Sequence, residues 1–190
     1  MKKRFVAFLL AIVAVLGASG ISAYNGLNKD IKKTEMLYFD GVKKDGYRHP
    51  SIESQMKVKY QSLNNVITIL DDYPELEETA EALGVCRDTV SDYFNDYRRD
   101  TVSGMSLANR TLEDTLSRAK QEMEDVSFTE KQQKILNSCF ADLAGAQSMI
   151  EQSGYNEYVR DFNSGKMARF PARQLLALFG NTNHGASYFE

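Results

Sequence analysis

LEETAEALGVCRDTVSDYFNDYRRDTVSGMSLANRTLEDTLSRAKQEM, residues 76–123, carries apolar side chains at Leu76, Ala80, Leu83, Cys86, Val90, Phe94 and Tyr97, and again at Met105, Ala108, Leu112, Leu116, Ala119 and Met123. Steps of three and four residues put such side chains along one face of an α-helix, and strand-like alternation is absent. The stretch predicts either one very long helix or two helices joined near Ser103-Gly104, and it sets the class of the fold.

The same spacing continues on both sides. Upstream, Ser51 sits three residues before Ser54 and just ahead of Met56, Val58, Tyr60, Leu63, Val66, Ile67 and Leu70. That is a capped amphipathic helix ending near Asp72, after which Tyr73-Pro74 kinks or restarts it. Downstream, Ser127 lies three before Glu130, a capping-box match, and opens a helix through Ile135, Cys139, Leu143, Ala146, Ile150, Val159 and Phe162. Helical structure is expected to end before Phe170-Pro171, leaving a tail with a short apolar piece at Leu175 to Phe179. Three prolines and no tryptophan suit long helices better than a many-turned sandwich. Long helices with short links bury their stripes by antiparallel packing, so the expected fold is all-α, a long antiparallel bundle of about four helices.

At the N-terminus Met1, Lys2, Lys3 and Arg4 precede an apolar run from Phe5 to Ala18 (FVAFLLAIVAVLGA), and Ser19 to Tyr24 add no charge. The combined run reaches the roughly 20 residues that cross a hydrocarbon core. Leu27, Ile31, Met36, Phe39 and Val42 then continue at helical spacing as far as Asp45-Gly46, so a transmembrane helix is expected to run on into the first bundle helix. The rival is a cleavable signal peptide, with Ala23 as the small residue before Tyr24; the product would then be a secreted helical protein. The expected organisation is a membrane anchor over 1–23, a bundle domain over 24–169 and a tail over 170–190. A short basic start abutting the apolar run favours a single-pass protein of the cell membrane with its bundle outside the cytoplasm, although Lys29, Lys32 and Lys33 level the positive-inside count.

Composition narrows the chemistry. The 190 residues carry 43% hydrophobic and 26% charged side chains and a net charge of -3, as folded globular chains do. Basic and acidic residues are interleaved, which excludes the continuous basic face of a nucleic-acid binder. His49 precedes a proline and His184 sits in a Gly- and Asn-rich tail, and no Glu-x-x-His pair or phosphate loop occurs, so no metal, cofactor or catalytic residue is expected. Cys86 and Cys139 are too far apart for a CxxC motif; either they form one inter-helix disulfide or they are buried thiols. The chain is read as a non-enzyme.

Ten tyrosines and ten phenylalanines are the more distinctive feature. Tyr155, Tyr158, Phe162, Phe170 and Phe179 gather in the last forty residues, where they offer either core packing or a surface for a partner or lipid headgroups. Tyr155-Asn156, Val159, Phe162-Asn163, Phe170-Pro171, Phe179-Gly180 and Tyr188-Phe189-Glu190 together resemble the C-terminal signature of the LemA family, and an N-terminal anchor followed by Tyr24-Asn25 is similar to that family's start. The middle departs from the pattern: Arg48-His49-Pro50-Ser51-Ile52-Glu53 stands where the family has paired arginines and Asp-Leu-Ile-Pro. The resemblance is to a divergent member and implies a membrane-attached antiparallel bundle, with no catalytic residues to carry over. The candidate interaction surface is Tyr155, Asn156, Tyr158, Phe162, Asn163, Phe170, Pro171, Phe179, Tyr188 and Phe189. The expected role is a scaffold or adaptor, binding the membrane through the N-terminal helix and a protein partner or a second copy through this surface. The alternative is a ligand-sensing bundle outside the cytoplasm.

Overall fold

The computed structural model describes residues 2–44, 46–94, 101–169, 171–178 and 185–189, with residues 2–13, 16 and 44 described by their backbone alone. Helices dominate it. In order they are α1 (Lys2–Glu35), α2 (Leu37–Asp40), α3 (Ile52–Leu70), α4 (Glu77–Phe94), α5 (Thr101–Glu122), α6 (Glu130–Glu151), α7 (Tyr155–Phe162) and α8 (Ala172–Leu178). A two-residue antiparallel ladder, β1 (Lys43–Lys44) with β2 (Tyr47–Arg48), lies between α2 and α3. The chain divides into two compact units: Met1–Met36 with Glu157–Ala186, and Leu37–Asn156 with Ser187–Glu190.

The larger unit is built on α3 to α6. Helix α3 packs against α6 and α4, and α4 packs against α5. Cross-links give the directions. Tyr73 donates to Gln132 Oε1 at 2.7 Å just past one end of α3, whereas Lys59, further back along α3, reaches Gln147 at 2.5 Å, so α3 and α6 run antiparallel. Thr79 bonds Glu122 and Cys86 Sγ lies 3.5 Å from Thr115 Oγ1, so α4 and α5 do too. Between them Leu63, Val66, Leu70, Leu83, Leu112 and Leu143 are buried in one apolar cluster. Each such side chain contributes about 1.5–3 kcal/mol over remaining in water.

Local chemistry explains where these helices start and stop, and it moves several expected boundaries. Ser51 caps α3 as its spacing predicts, its hydroxyl accepting the Ser54 N–H at 3.1 Å. Pro74 opens a single 3-10 turn (Pro74–Leu76), so α3 is restarted as α4 rather than kinked. The capping box at the start of α6 belongs to Thr129 and Gln132, not to Ser127 and Glu130. Both pairs fit the spacing, but Thr129 has the extended backbone a cap needs and Phe128 is held in edge contact with Tyr73 at 4.8 Å.

Two antiparallel helices, α4 and α5, occupy most of the described part of residues 76–123, and the joint is not at Ser103-Gly104. Gly104 is inside α5, where the Tyr93 ring fills the space a Cβ would occupy. Helix α6 also ends earlier than expected. It stops at Glu151 instead of continuing to Phe162, because Gly154 adopts φ 72, a left-handed conformation that halts the helix before α7 begins.

In the smaller unit α1 is one unbroken helix, with Tyr24 and Asn25 in its interior, and it ends at Glu35 rather than continuing to Asp45-Gly46. Helix α8 packs on α1. Ile31, Val159, Met167 and Leu176 are buried, and α7 leaves through a π-helical turn over Asn163–Met167. Lys166 Nζ donates to Asp30 Oδ2 at 2.5 Å. Among the described residues no helix is long and apolar enough to cross a membrane. The expected anchor, Phe5 to Ala18, falls for the most part on side chains outside that description.

Candidate functional site

Two polar constructions stand out, and the sequence pointed to one of them. The unanticipated one centres on Lys59. The buried face of α3 runs Ile52, Met56, Lys59, Leu63, Val66 and Leu70, steps of three and four that place a lysine in a core position. Its side chain is 0% exposed. The amine donates to Asn109 Oδ1 at 2.6 Å, Glu113 Oε1 at 2.6 Å and Gln147 Oε1 at 2.5 Å, so all three ammonium protons are accepted. Asn109 is itself buried and its amide donates on to Gln147 at 3.3 Å. Burial lowers the Lys59 pKa below the ordinary lysine range, and Glu113, with a smaller contribution from Glu151, opposes that shift.

The cluster borders an open groove of about 250 Å³ between α5 and α6. Glu113, Gln147 and Glu151 form its polar side; Leu116, Phe140 and Leu143 supply apolar surface, and Lys120 Nζ sits 5.0 Å from the Phe140 ring centre. A lysine of lowered pKa is a common nucleophile, yet here the amine has no exposed surface and each proton is bonded, so the cluster is built to compensate charge, not to attack a substrate.

The second construction is the C-terminal segment, where the ten expected surface residues separate by burial. Tyr155 and Phe189 are 1% and 3% exposed and are core, not surface. In the larger unit Asn156 holds the backbone of Phe189 at both its donor and its acceptor: the Phe189 N–H donates to Asn156 Oδ1 at 2.8 Å, and Asn156 Nδ2 donates to the Phe189 carbonyl at 2.5 Å. Tyr155 Oη donates to the Ser187 carbonyl at 2.8 Å. The Phe189 ring lies 5.6 Å from that of Tyr38, which is fully buried and also meets Tyr155 edge-on at 6.5 Å.

In the smaller unit Asn163 repeats the device on Ala186, accepting its N–H and donating to its carbonyl, both at 2.9 Å. Of the rest, Tyr158 and Tyr188 are exposed at 50% and 38%, Pro171 is exposed and Phe162 is half-buried. Phe170 and Phe179 lie outside the described residues, as does His184. The Tyr-Asn and Phe-Asn pairs were visible as motifs; that both amides grip the chain's own backbone was not, because spacing alone does not say what an asparagine faces.

Cys86 and Cys139 are both buried free thiols, which settles the disulfide alternative in favour of packing. Burial raises the Cys139 pKa, opposed by a hydrogen bond from Asn65. Among the described residues no group of three or more His, Cys, Asp or Glu side chains is placed to hold a metal ion. Comparison of the chain with protein-family models, with curated proteins and with solved structures gives no match.

Proposed function

We propose that this chain is a membrane-anchored, LemA-like helical-bundle protein, acting as a scaffold or adaptor through protein or membrane-surface contacts and not as an enzyme. The observation that carries the reading is α1. It runs without a break from Lys2 to Glu35, about 50 Å at 1.5 Å per residue, against a hydrocarbon core of roughly 30 Å. Cleavage after Ala23 would cut it between two helical residues. The antiparallel pairings of α3 with α6 and α4 with α5 support a four-helix bundle as the body of the scaffold. The basic start supports a single pass that leaves this bundle outside the cytoplasm, and the exposed Tyr158 and Tyr188 remain available to a partner.

Alkaline extraction of membranes followed by N-terminal sequencing tests this reading. The full chain should stay in the pellet with its apolar segment intact; a mature protein beginning at Tyr24 would overturn it. The groove beside Glu113 and Phe140 favours a second reading, a ligand-sensing bundle. A thermal-shift screen against metabolites separates the two, since stabilisation by one compound that Phe140→Ala abolishes would favour sensing.

A further inference from the structure

The grip of Tyr38, Tyr155 and Asn156 on Ser187 to Phe189 has the properties of a peptide receptor. Asn156 reads backbone and not a side chain, since it satisfies the N–H and the C=O of a single residue at once. Tyr155 Oη takes a second carbonyl two residues earlier, which fixes the direction and spacing of the bound segment. One side chain is selected: the Phe189 ring, 3% exposed, against Tyr38. Between the two gripped positions Tyr188 points outward at 38% exposure and is not read. The recognised ligand is therefore a non-helical segment with an aromatic residue two positions after a carbonyl that accepts from Tyr155.

Every copy of the chain carries that ligand, and the chain's organisation lets it be exchanged. Ser187–Glu190 belongs to the unit of Leu37–Asn156 but is separated from it in sequence by Glu157–Ala186, which belongs to the other unit. Leu63, Leu83, Leu112 and Leu143 share an apolar cluster within α3 to α6. A short terminal segment that packs onto a body formed by earlier parts of the chain is the kind of element that identical chains swap.

We propose that the Tyr38, Tyr155 and Asn156 clamp is a docking site for the C-terminal segment of a second copy of this chain, Ser187 to Phe189 entering in trans as they do in cis. The cis tail competes at the millimolar effective concentration typical of a short tether, so exchange between intact copies is rare unless they are concentrated.

Complementation in mild detergent, with the full chain throughout, tests this. One copy carries Asn156→Ala, which leaves the tail intact and disables the clamp. The other carries Phe189→Ala, which leaves the clamp intact and disables the tail. Each alone should remain monomeric by analytical ultracentrifugation, and the mixture should form a heterodimer that binds at least tenfold more tightly than either self-pair. Adding Asn156→Ala to the Phe189→Ala copy should abolish the heterodimer. A fluorescent peptide of residues 185–190 gives an independent measurement: it should bind the Phe189→Ala protein at least tenfold more tightly than the unmodified chain. Mixed copies that stay monomeric, a heterodimer that survives the added Asn156→Ala, or a peptide that binds the folded Phe189→Ala protein no better than the unmodified chain would each overturn the proposal.

Discussion

Lys59 occupies a position that the spacing of α3 assigns to an apolar side chain, and its partners determine what removing it does. Replacing one member of a buried charged pair leaves the other uncompensated, and the two directions are unequal here. Glu113→Ala strands an ammonium with 0% exposure, a loss on the order of 3 kcal/mol. Lys59→Met leaves Glu113, 38% exposed, to be solvated by water, and strands only the Asn109 and Gln147 acceptors, for about 1 kcal/mol. Chemical denaturation at pH 7 should rank them in that order; equal losses would refute the charge argument. The pH dependence has a definite sign. Unfolded, the amine keeps its proton to about pH 10.4, whereas burial lowers that value in the folded chain. Between the two values the unfolded state binds the extra proton, so stability from this group rises with pH. The difference between the unmodified chain and Lys59→Met should therefore move in favour of the lysine from pH 7 to pH 10. Lys59 was concealed in the sequence because Val58 and Tyr60 beside it look like the apolar stripe, yet Val58 is 38% exposed. The cue was the series 52, 56, 59, 63, with Asn109 three residues before Leu112 as a polar counterpart on α5.

At the level of elements, hydrophobic period and caps were legible, whereas breaks set by a distant contact were not. Ser51 and the apolar spacing of α3 located that helix because capping is a local interaction between residues three apart. Gly104 looked like a joint because glycine lowers helix stability by about 1 kcal/mol relative to alanine. It lies instead within α5, with the Tyr93 ring from α4 against it. That contact reverses the usual result of filling a helical glycine. Gly104→Ala gains the propensity term but forces the Cβ into Tyr93, and overpacking of this kind costs about 1–3 kcal/mol. The expected net effect is a destabilisation of about 1 kcal/mol on that balance. In a Tyr93→Ala background the same substitution should become stabilising, because the two sites are in contact and do not add. Thermal melts of the four proteins measure the coupling, and a Gly104→Ala effect of the same sign in both backgrounds would show that the ring does not decide it.

For the whole molecule, apolar spacing revealed that stripes exist but not which stripe each one faces. Helix α1 was expected to be the first helix of the bundle, yet it belongs to a unit with Glu157–Ala186, whereas α3 to α6 form the core of another. Nothing in the spacing of Leu27 and Ile31 distinguishes a face that meets α8 from one that meets α3. With α1 read as the anchor we propose, the observed division would separate attachment from folding. The apolar cluster that Leu63, Leu83, Leu112 and Leu143 share is built within α3 to α6, and the part of α1 carrying the buried Ile31 and Thr34 lies well beyond residue 23. Deleting residues 2–23 should therefore move the protein from the membrane pellet to the supernatant and leave a cooperative thermal transition. Its midpoint should fall within about 3 °C of the full chain's value in detergent, since a shift of that size corresponds to roughly 1 kcal/mol in a domain of this length. The two readouts separate the two claims. A truncated protein that still pellets would count against α1 as the anchor, and one that is released but melts without cooperativity would show that the larger unit depends on the N-terminal segment for its fold.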